Sequence, residues 1–319
     1  SWDGAELEFT CREKGLCVAL VRSAQEWTEH AHAKAISTLP VIEIIKLGDA
    51  PPETLPSDGQ QPLSNVNVLD LTKVIAGPVC GRTLASYGAN VMRVGAKHLP
   101  FIEPLVIDTG LGKKSTFLDL RDPTDNDKLK LLLRDADIFV QGYRPGAIAK
   151  HGFGPEEVAA KRPGIVYVNL SAYGHVGPWS SWRGFDSLVQ SATGIVHEGM
   201  IDAGTERPLP LPCQALDHAT GYLAAFGAMI ALKRRVEEGG SWMVRVSLAQ
   251  TGKWFNDLGR VEGLETKKPT RTEIAGLLQK HDSPFGIIEH VRPPETFSET
   301  QPYWSSGSVP LGSDEPRWN

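Results

Sequence analysis

The chain has 319 residues, 41% of them hydrophobic and 22% charged, enough for one large domain plus a smaller unit. A formal net charge of −5 removes the electrostatic case for nucleic acid or an anionic membrane surface as a partner. Cys11, Cys17, Cys80 and Cys213 form no CxxC pair and no grouping with histidine. They are read as free thiols of a reducing, cytoplasmic compartment, and no metal centre is expected.

No stretch is read as approaching the roughly 20 apolar residues that span a bilayer. The opening "SWDGAELEFTCREKGLCVAL" has no basic n-region or apolar h-region, so it is not read as a signal peptide. It begins as though cut from a longer parent.

Residues 1–50 form a small α+β segment. It holds a helix-like pattern, the apolar run "GLCVALV", a second helix "SAQEWTEHAHAKAI" capped by Ser23, and the strand "PVIEIIKLG". Residues 51–65, rich in Pro, Asp, Ser and Gly, read as a linker. The main body runs from 66 to 250. The segment 251–319 reads as an extended tail that returns to the large domain and docks its Trp and Pro side chains.

Strands and helices alternate along the body. "VNVLDL" precedes the helix "IAGPVCGRTLASYGA", which Pro78 opens near its first turn. "NVMRV" and "STFLDL" are the next strands. "DPTDNDKLKLLLRDA" is an amphipathic helix with an Asp/Thr cap, and "DIFVQG" and "GIVYVNLSA" complete the buried strands. Continuous apolar strands separated by helices predict an α/β, Rossmann-like, doubly wound parallel sheet. A nicotinamide site does not follow. The first strand–helix turn, "LTKVIAGPVCGR", lacks G-x-G-x-x-G, and the second strand ends in "RVGAKH" without an acid for a ribose. There is also no P-loop and no GxSxG elbow.

Four places carry chemistry, each with a plainer reading beside it. Ala76-Gly77-Pro78 brings small residues to the sheet edge where open α/β folds bind ligands, or it serves tight helix–strand packing. In "QGYRPGAIAKHG" (141–152), Tyr143 can stack on a planar ring while Arg144 and Lys150 meet phosphates, or the segment is a solvated Pro-Gly turn. "SSWRGFDSLVQSATG" sets Arg183, Phe185 and Asp186 ahead of an apolar helix, with Asp186 either a cap worth about 1 kcal/mol or a carboxylate that orients a substrate. Asp217 opens the Ala/Gly-rich run "DHATGYLAAFGAMIALKRR". There the helix dipole stabilises its anion, which is either a nucleophile for an activated acyl group or a buried N-cap. His30 and His32 are i,i+2 on a helix and do not face each other.

Taken together, these blocks resemble the class III CoA-transferases, a superfamily shared with the α-methylacyl-CoA racemases. The resemblance rests on "VLDLTKVIAGPVCGRTLASYGANVMRVG", "LDLRDP", "ADIFVQGYRPGAIAKHGFG", "PGIVYVNLSAYGHVGP", "RGFDSLVQSATG" and "DHATGYLAAFGAMIALKRRVEEGGSWMVRVSL", in order over about 66–250. It implies a CoA-binding large domain and interlocked dimers. It also implies transfer of CoA between an acyl-CoA and a carboxylic acid, through an aspartyl-CoA thioester on Asp217, with Asp186 as a second active-site carboxylate. The family's CoA contacts fall on Val74, Ile75, Ala76, Leu118, Gly142, Tyr143, Lys150 and Arg183. Gly95 and Ala96 replace the family's acidic and following basic positions, leaving Lys97 as the next cation.

Phe185 stands where racemase members carry a histidine, which disfavours racemisation of that type. The alternatives to transfer are an acyl-CoA epimerase or isomerase using Asp217 as base, and a non-catalytic CoA-binding subunit. Residues 1–50 resemble the end of the family's small domain and the tail resembles its C-terminus. This order implies the second half of a duplicated or permuted member, completed by a homo-oligomer or a partner half-chain.

Overall fold

In the computed structural model, which describes residues 2–56, 60–261 and 267–318, the apolar runs of the body lie side by side in one sheet. Its strands are β1 (Glu43–Gly48), β2 (Asn67–Leu71), β3 (Asn90–Gly95), β4 (Lys113–Phe117), β5 (Ile138–Gln141), β6 (Val166–Ser171) and β7 (Ser241–Ser247). Their order is β1-β7-β6-β5-β2-β3-β4. β2 to β7 are parallel, and β1 joins β7 antiparallel. This is the doubly wound order with one added edge strand, and the winding reverses between β2 and β5.

The helices are α1 (Gly4–Glu13), α2 (Ala24–Glu29), α3 (Ala31–Ile36), α4 (Ala76–Ser86), α5 (Glu103–Thr109), α6 (Pro123–Arg134), α7 (Pro155–Lys161), α8 (Asp186–Ala192), α9 (Ile195–Asp202), α10 (Ala215–Glu238), α11 (Leu248–Asp257) and α12 (Arg271–Ile274). Successive strand residues face opposite ways, so the sheet builds two cores. Val68, Val91, Val140, Val168 and Val244 pack with α4 and α10 on one face. Leu69, Met92, Phe139 and Met243 pack with Leu129, Leu133 and Val158 of α6 and α7 on the other.

α10 is long and apolar enough to cross a membrane by length and composition, contrary to the sequence expectation. Its residues meet protein instead. Ala224, Ala225, Ala228 and Ala231 are wholly buried. A Cβ on Gly227 would come within 2.6 Å of Val244, so the helix sits closer to the sheet than a larger side chain permits.

The N-terminal segment differs in detail from its sequence reading. Ser23 does cap α2 through a reciprocal box with Glu26, but the run "SAQEWTEHAHAKAI" is two helices that break at His30. His30 and His32 converge after all: both rings pack on Trp179, at 4.4 and 5.4 Å between centroids. The segment is fastened to the loop after β6. Glu8 and Arg22 pair at 2.5 Å in a buried bridge, the Arg12 guanidinium lies 4.1 Å above Trp182, and His32 Nε2 is 2.8 Å from the Tyr173 carbonyl.

Beyond α11 the chain is less extended than its composition predicts. α12 leads into a hairpin of β8 (Leu278–His281) and β9 (Ile288–Val291). The irregular run that follows docks by its indoles. Trp304 Nε1 donates to the Arg82 carbonyl and Trp318 Nε1 to that of Leu132, both at 2.9 Å.

Candidate active site

Open doubly wound sheets bind ligands at the carboxyl edge where the winding reverses, here the chain after β2 and after β5. After β2 the backbone is strained: Val74 has φ 70°, in the left-handed region that a β-branched residue avoids. Ile75 then caps α4 with no side chain accepting from its first-turn amides, which leaves the positive end of the helix open toward the edge.

Packing explains the small residues of this turn. A Cβ on Gly77 would fall 2.3 Å from the Thr72 Cβ. Beneath it lies a buried polar cluster. Lys113 Nζ stands 2.7 Å from Asp70 Oδ2 and 2.7 Å from the Pro78 carbonyl, while the Thr72 N–H and hydroxyl both donate to Asp70 Oδ1. The pairing braces the turn from below.

The carboxylates meet at the start of α10. Gln214 occupies the N-cap and Asp217 lies inside the first turn, so Asp217 is not the cap of its helix. Asp186 is not the cap of α8 either, because Phe185 holds that position. Asp186 instead caps α10 from across the fold, its Oδ2 accepting the Asp217 N–H at 2.8 Å. Gln190, one turn further along α8, donates from Nε2 to Asp186 Oδ1 and accepts the Leu211 N–H at 2.8 Å.

Asp186 and Gln190 are each 1% exposed and Asp217 is 8% exposed. Among the described residues no hydrogen bond reaches the Asp217 carboxylate. Burial, then the charge of Asp186, push its pKa up to about 7. Burial also raises Asp186, against the stabilising N–H groups of Asp217 and Leu216 and the Gln190 amide. Burial and then Arg82 hold the neighbouring His218 imidazole below its ordinary value. A carboxylate that titrates near neutrality, with no donor on its oxygens, can attack a carbonyl or exchange a proton.

The other sequence-derived positions fall along the same edge. Val74, Ile75 and Ala76 form the turn itself. Gly142 and Tyr143 follow β5; burial and then Asp70 push the Tyr143 hydroxyl up to about 12, with Arg93 opposing. Lys97 lies beyond β3 and Lys150 in a short 3₁₀ turn, Ala149–His151; both are exposed and form no ion pair among the described residues. Leu118, just past β4, is a core residue whose N–H donates to the Gly95 carbonyl at 2.8 Å. Arg183 is exposed and donates to the Gly15 carbonyl at 3.0 Å.

α10 joins the carboxylates to this edge. A Cβ on Gly221 would be 2.6 Å from the Ala76 carbonyl, and Asp217 lies one turn earlier, about 6 Å along the axis. A shallow recess at the ends of β6 and β7, lined by Glu43, Asn169, His175 and Arg245, includes neither carboxylate. It is a separate feature of the surface.

Three contributors were not singled out from the sequence. Burial, then Arg183 and Arg93, pull the Lys73 ammonium below its ordinary value, so these three cations share the edge. Arg93 was readable as a charge inside an apolar strand, a placement that is rare unless the charge is used. Gln190 was readable from its i,i+4 spacing to Asp186.

Relatives of this chain carry a consistent name. The profile of CoA-transferase family III matches residues 63–275. The acetyl-coenzyme A transferase nodX of Hypoxylon pulicicidum is 36% identical over 234 residues, which are 72% of this chain and 38% of that protein. A succinyl-CoA:glutarate CoA-transferase of Mus musculus is 32% identical over 187 residues, 54% of this chain and 42% of its own length. The crystal structure of Rv3272 from M. tuberculosis shares the fold, with a TM-score of 0.69 at 21% identity over 79% of this chain and 97% of that one. The chain spans about half the length, or less, of the curated relatives it matches. The matched stretch begins ahead of β2, runs beyond α11 and contains both carboxylates: the chain belongs to CoA-transferase family III.

Proposed function

We propose that this chain performs the covalent half-reactions of an acyl-CoA:carboxylate CoA-transferase, with Asp217 as nucleophile. The ionised carboxylate attacks the thioester carbonyl of the acyl-CoA, and the C–S bond breaks to release the CoA thiolate and leave a mixed anhydride. The thiolate then attacks the Asp217 carbonyl, expelling the original acid as its carboxylate and leaving an aspartyl-CoA thioester. An incoming carboxylate repeats the two steps in reverse order and departs as the new acyl-CoA. No redox partner is needed, and each bond broken is matched by one formed.

The observation that carries this reading is the Asp217 carboxylate itself. Among the described residues it has no donor, it is held near neutral titration by burial and Asp186, and it stands one helical turn from the Val74–Ala76 turn. Val74, Ile75, Ala76, Leu118, Gly142 and Tyr143 would receive coenzyme A, and Lys97, Lys150 and Arg183 would answer its phosphates. The acceptor is a carboxylic acid. The complete enzyme is read as a homo-oligomer or as including a partner half-chain. Unpaired cysteines, one of them deeply buried, suit a cytoplasmic setting.

The test is intact-mass and peptide analysis after incubation with an acyl-CoA and an acid quench. Acyl and CoA adducts are expected on the peptide carrying Asp217 and are expected to vanish in Asp217→Asn. No adduct in the native chain would favour a binding subunit, and adducts that persist in the variant would displace the nucleophile.

The near-neutral carboxylate also supports a second reading, proton exchange at the α-carbon of an acyl-CoA. Deuterium incorporation from solvent without any acceptor acid would select it over transfer. Phe185 offers no second base for a racemase of the His/Asp type.

A further inference from the structure

We infer that Gln190 is a positioning residue for the carboxylate pair: by donating to Asp186 it holds Asp186 as the ionised partner and leaves the pair's proton on Asp217. This deepens the proposed function and rests on Asp217 being the nucleophile.

The hydrogen-bond inventory fixes the arrangement. The Leu211 N–H can only donate, so the Gln190 atom 2.8 Å away is Oε1. Nε2 is therefore the atom facing Asp186 Oδ1, and a donor there binds the ionised carboxylate more strongly than the protonated acid. Asp186 Oδ2 is equally committed, accepting the Asp217 N–H at 2.8 Å. A proton on either oxygen of Asp186 would weaken the bond which that oxygen accepts, because a carboxylic acid is a poorer acceptor than its anion. Asp217 has no such obstacle. The single proton of the buried pair therefore resides on Asp217, and once it leaves, the neighbouring anion keeps the new carboxylate basic.

Gln190 also reaches the segment that leads into α10. Besides the Leu211 N–H, the Cys213 carbonyl lies 3.5 Å from Nε2. One buried amide thus ties α8, the approach to α10, and the carboxylate pair together.

The surrounding charges are few. His218 faces the pair from α10, and Arg82 of α4 and Asp108 of α5 act on that imidazole. α11 contributes the neutral Thr251, bonded to Thr220 at 2.6 Å. The Cys213 thiol on the approach is exposed.

The experiment measures the rate of adduct formation from an acyl-CoA against pH for the native chain, Gln190→Leu, Gln190→Glu and Asp217→Asn. In Gln190→Leu the proton shifts to Asp186, so Asp217 ionises at lower pH. The acid limb is expected to move down by about one pH unit, and the plateau to fall about tenfold as the nucleophile loses basicity. Gln190→Glu keeps the shape and adds a third acid, and the limb is expected to move up by about one pH unit. Because this second variant is isosteric, the test survives a folding failure of the first.

Opposite shifts support the inference. A native acid limb in a folded variant, whatever its rate, overturns it while leaving Asp217 as nucleophile. Adducts that persist in Asp217→Asn overturn the nucleophile reading first, and the inference with it.

Discussion

The two ends of α10 hold their charges in opposite ways. At the carboxyl end Arg235, wholly buried, donates to Asp137 Oδ1 at 2.8 Å, and Asp137 Oδ2 accepts the Asn67 N–H at 2.8 Å. Arg162 and Glu53 pair beside them at 2.7 Å. At the amino end two acids are buried together, and among the described residues no cation pairs with either carboxylate. Both arrangements suit the helix dipole, with acid at its positive end and base at its negative end. Only the paired end neutralises what it buries. The unpaired end keeps a repulsion that serves reactivity, and the rest of the fold sustains it.

Burial of Asp217, with the Asp186 charge adding to it, has a definite sign with pH. Asp217 titrates near 7 when folded, above its ordinary value of 3.8, so the folded state holds the extra proton. Its cost to stability is absent below about pH 4, grows as pH rises to about 7, and is full above that, on the order of 4 kcal/mol.

The largest expected effect is therefore double. Asp217→Asn should slow adduct formation by about 10³-fold or more. It should also raise the melting temperature at pH 8, by a margin that shrinks toward pH 4. A melting gain equal at both pH values would show that neither burial nor the Asp186 charge penalises the ionised Asp217. In the native chain adduct formation should climb with pH through about 7, and a flat profile would contradict the burial of a protonated acid.

The opposite end should respond in the opposite sense. Arg235→Met leaves Asp137 buried without its cation and should cost about 3–5 kcal/mol in urea unfolding, with the adduct pH profile of the folded fraction unchanged. A loss under 1 kcal/mol would mean that Arg162 replaces it.

Between the ends, Gly221→Ala forces a methyl toward the Ala76 carbonyl and should cost about 1–3 kcal/mol. It should also slow adduct formation, because it shifts Asp217 relative to the Val74–Ala76 turn. Unchanged stability and rate would show that α10 can move away without consequence. The smallest effect belongs outside the comparison: Lys253→Ala removes an exposed partner of Asp257 and should change stability by under about 0.5 kcal/mol.

Much of this molecule was readable before folding. The alternating apolar strands and helices led to the doubly wound sheet, and the motif order led to the family. Asp217 and Asp186 were both named from their blocks. The plainer reading of each as the cap of its own helix fails because a cap is judged from local spacing, whereas Asp186 caps the helix that carries Asp217, 31 residues later in the chain. The break at His30 was hidden because "HAHAKAI" continues a helical pattern across it, and only the backbone turn there, with ψ 139°, separates the two helices. The apolar length of α10 was underread because glycine and alanine dilute its hydrophobicity while letting Gly221 lie close against Ala76 and Val79 of α4.

What the sequence determined alone is periodic and local: which runs bury both faces, where helices start, and which acids follow which strands. Those features depend on neighbours within a few residues, and side-chain chemistry writes them directly. Only the tertiary structure decided that Asp186, Gln190 and Asp217 share one hydrogen-bond network, and that Lys73, Arg93 and Arg183 share one edge. A pKa displaced by burial and a like charge is a property of the assembled environment, and no single segment of the chain contains it.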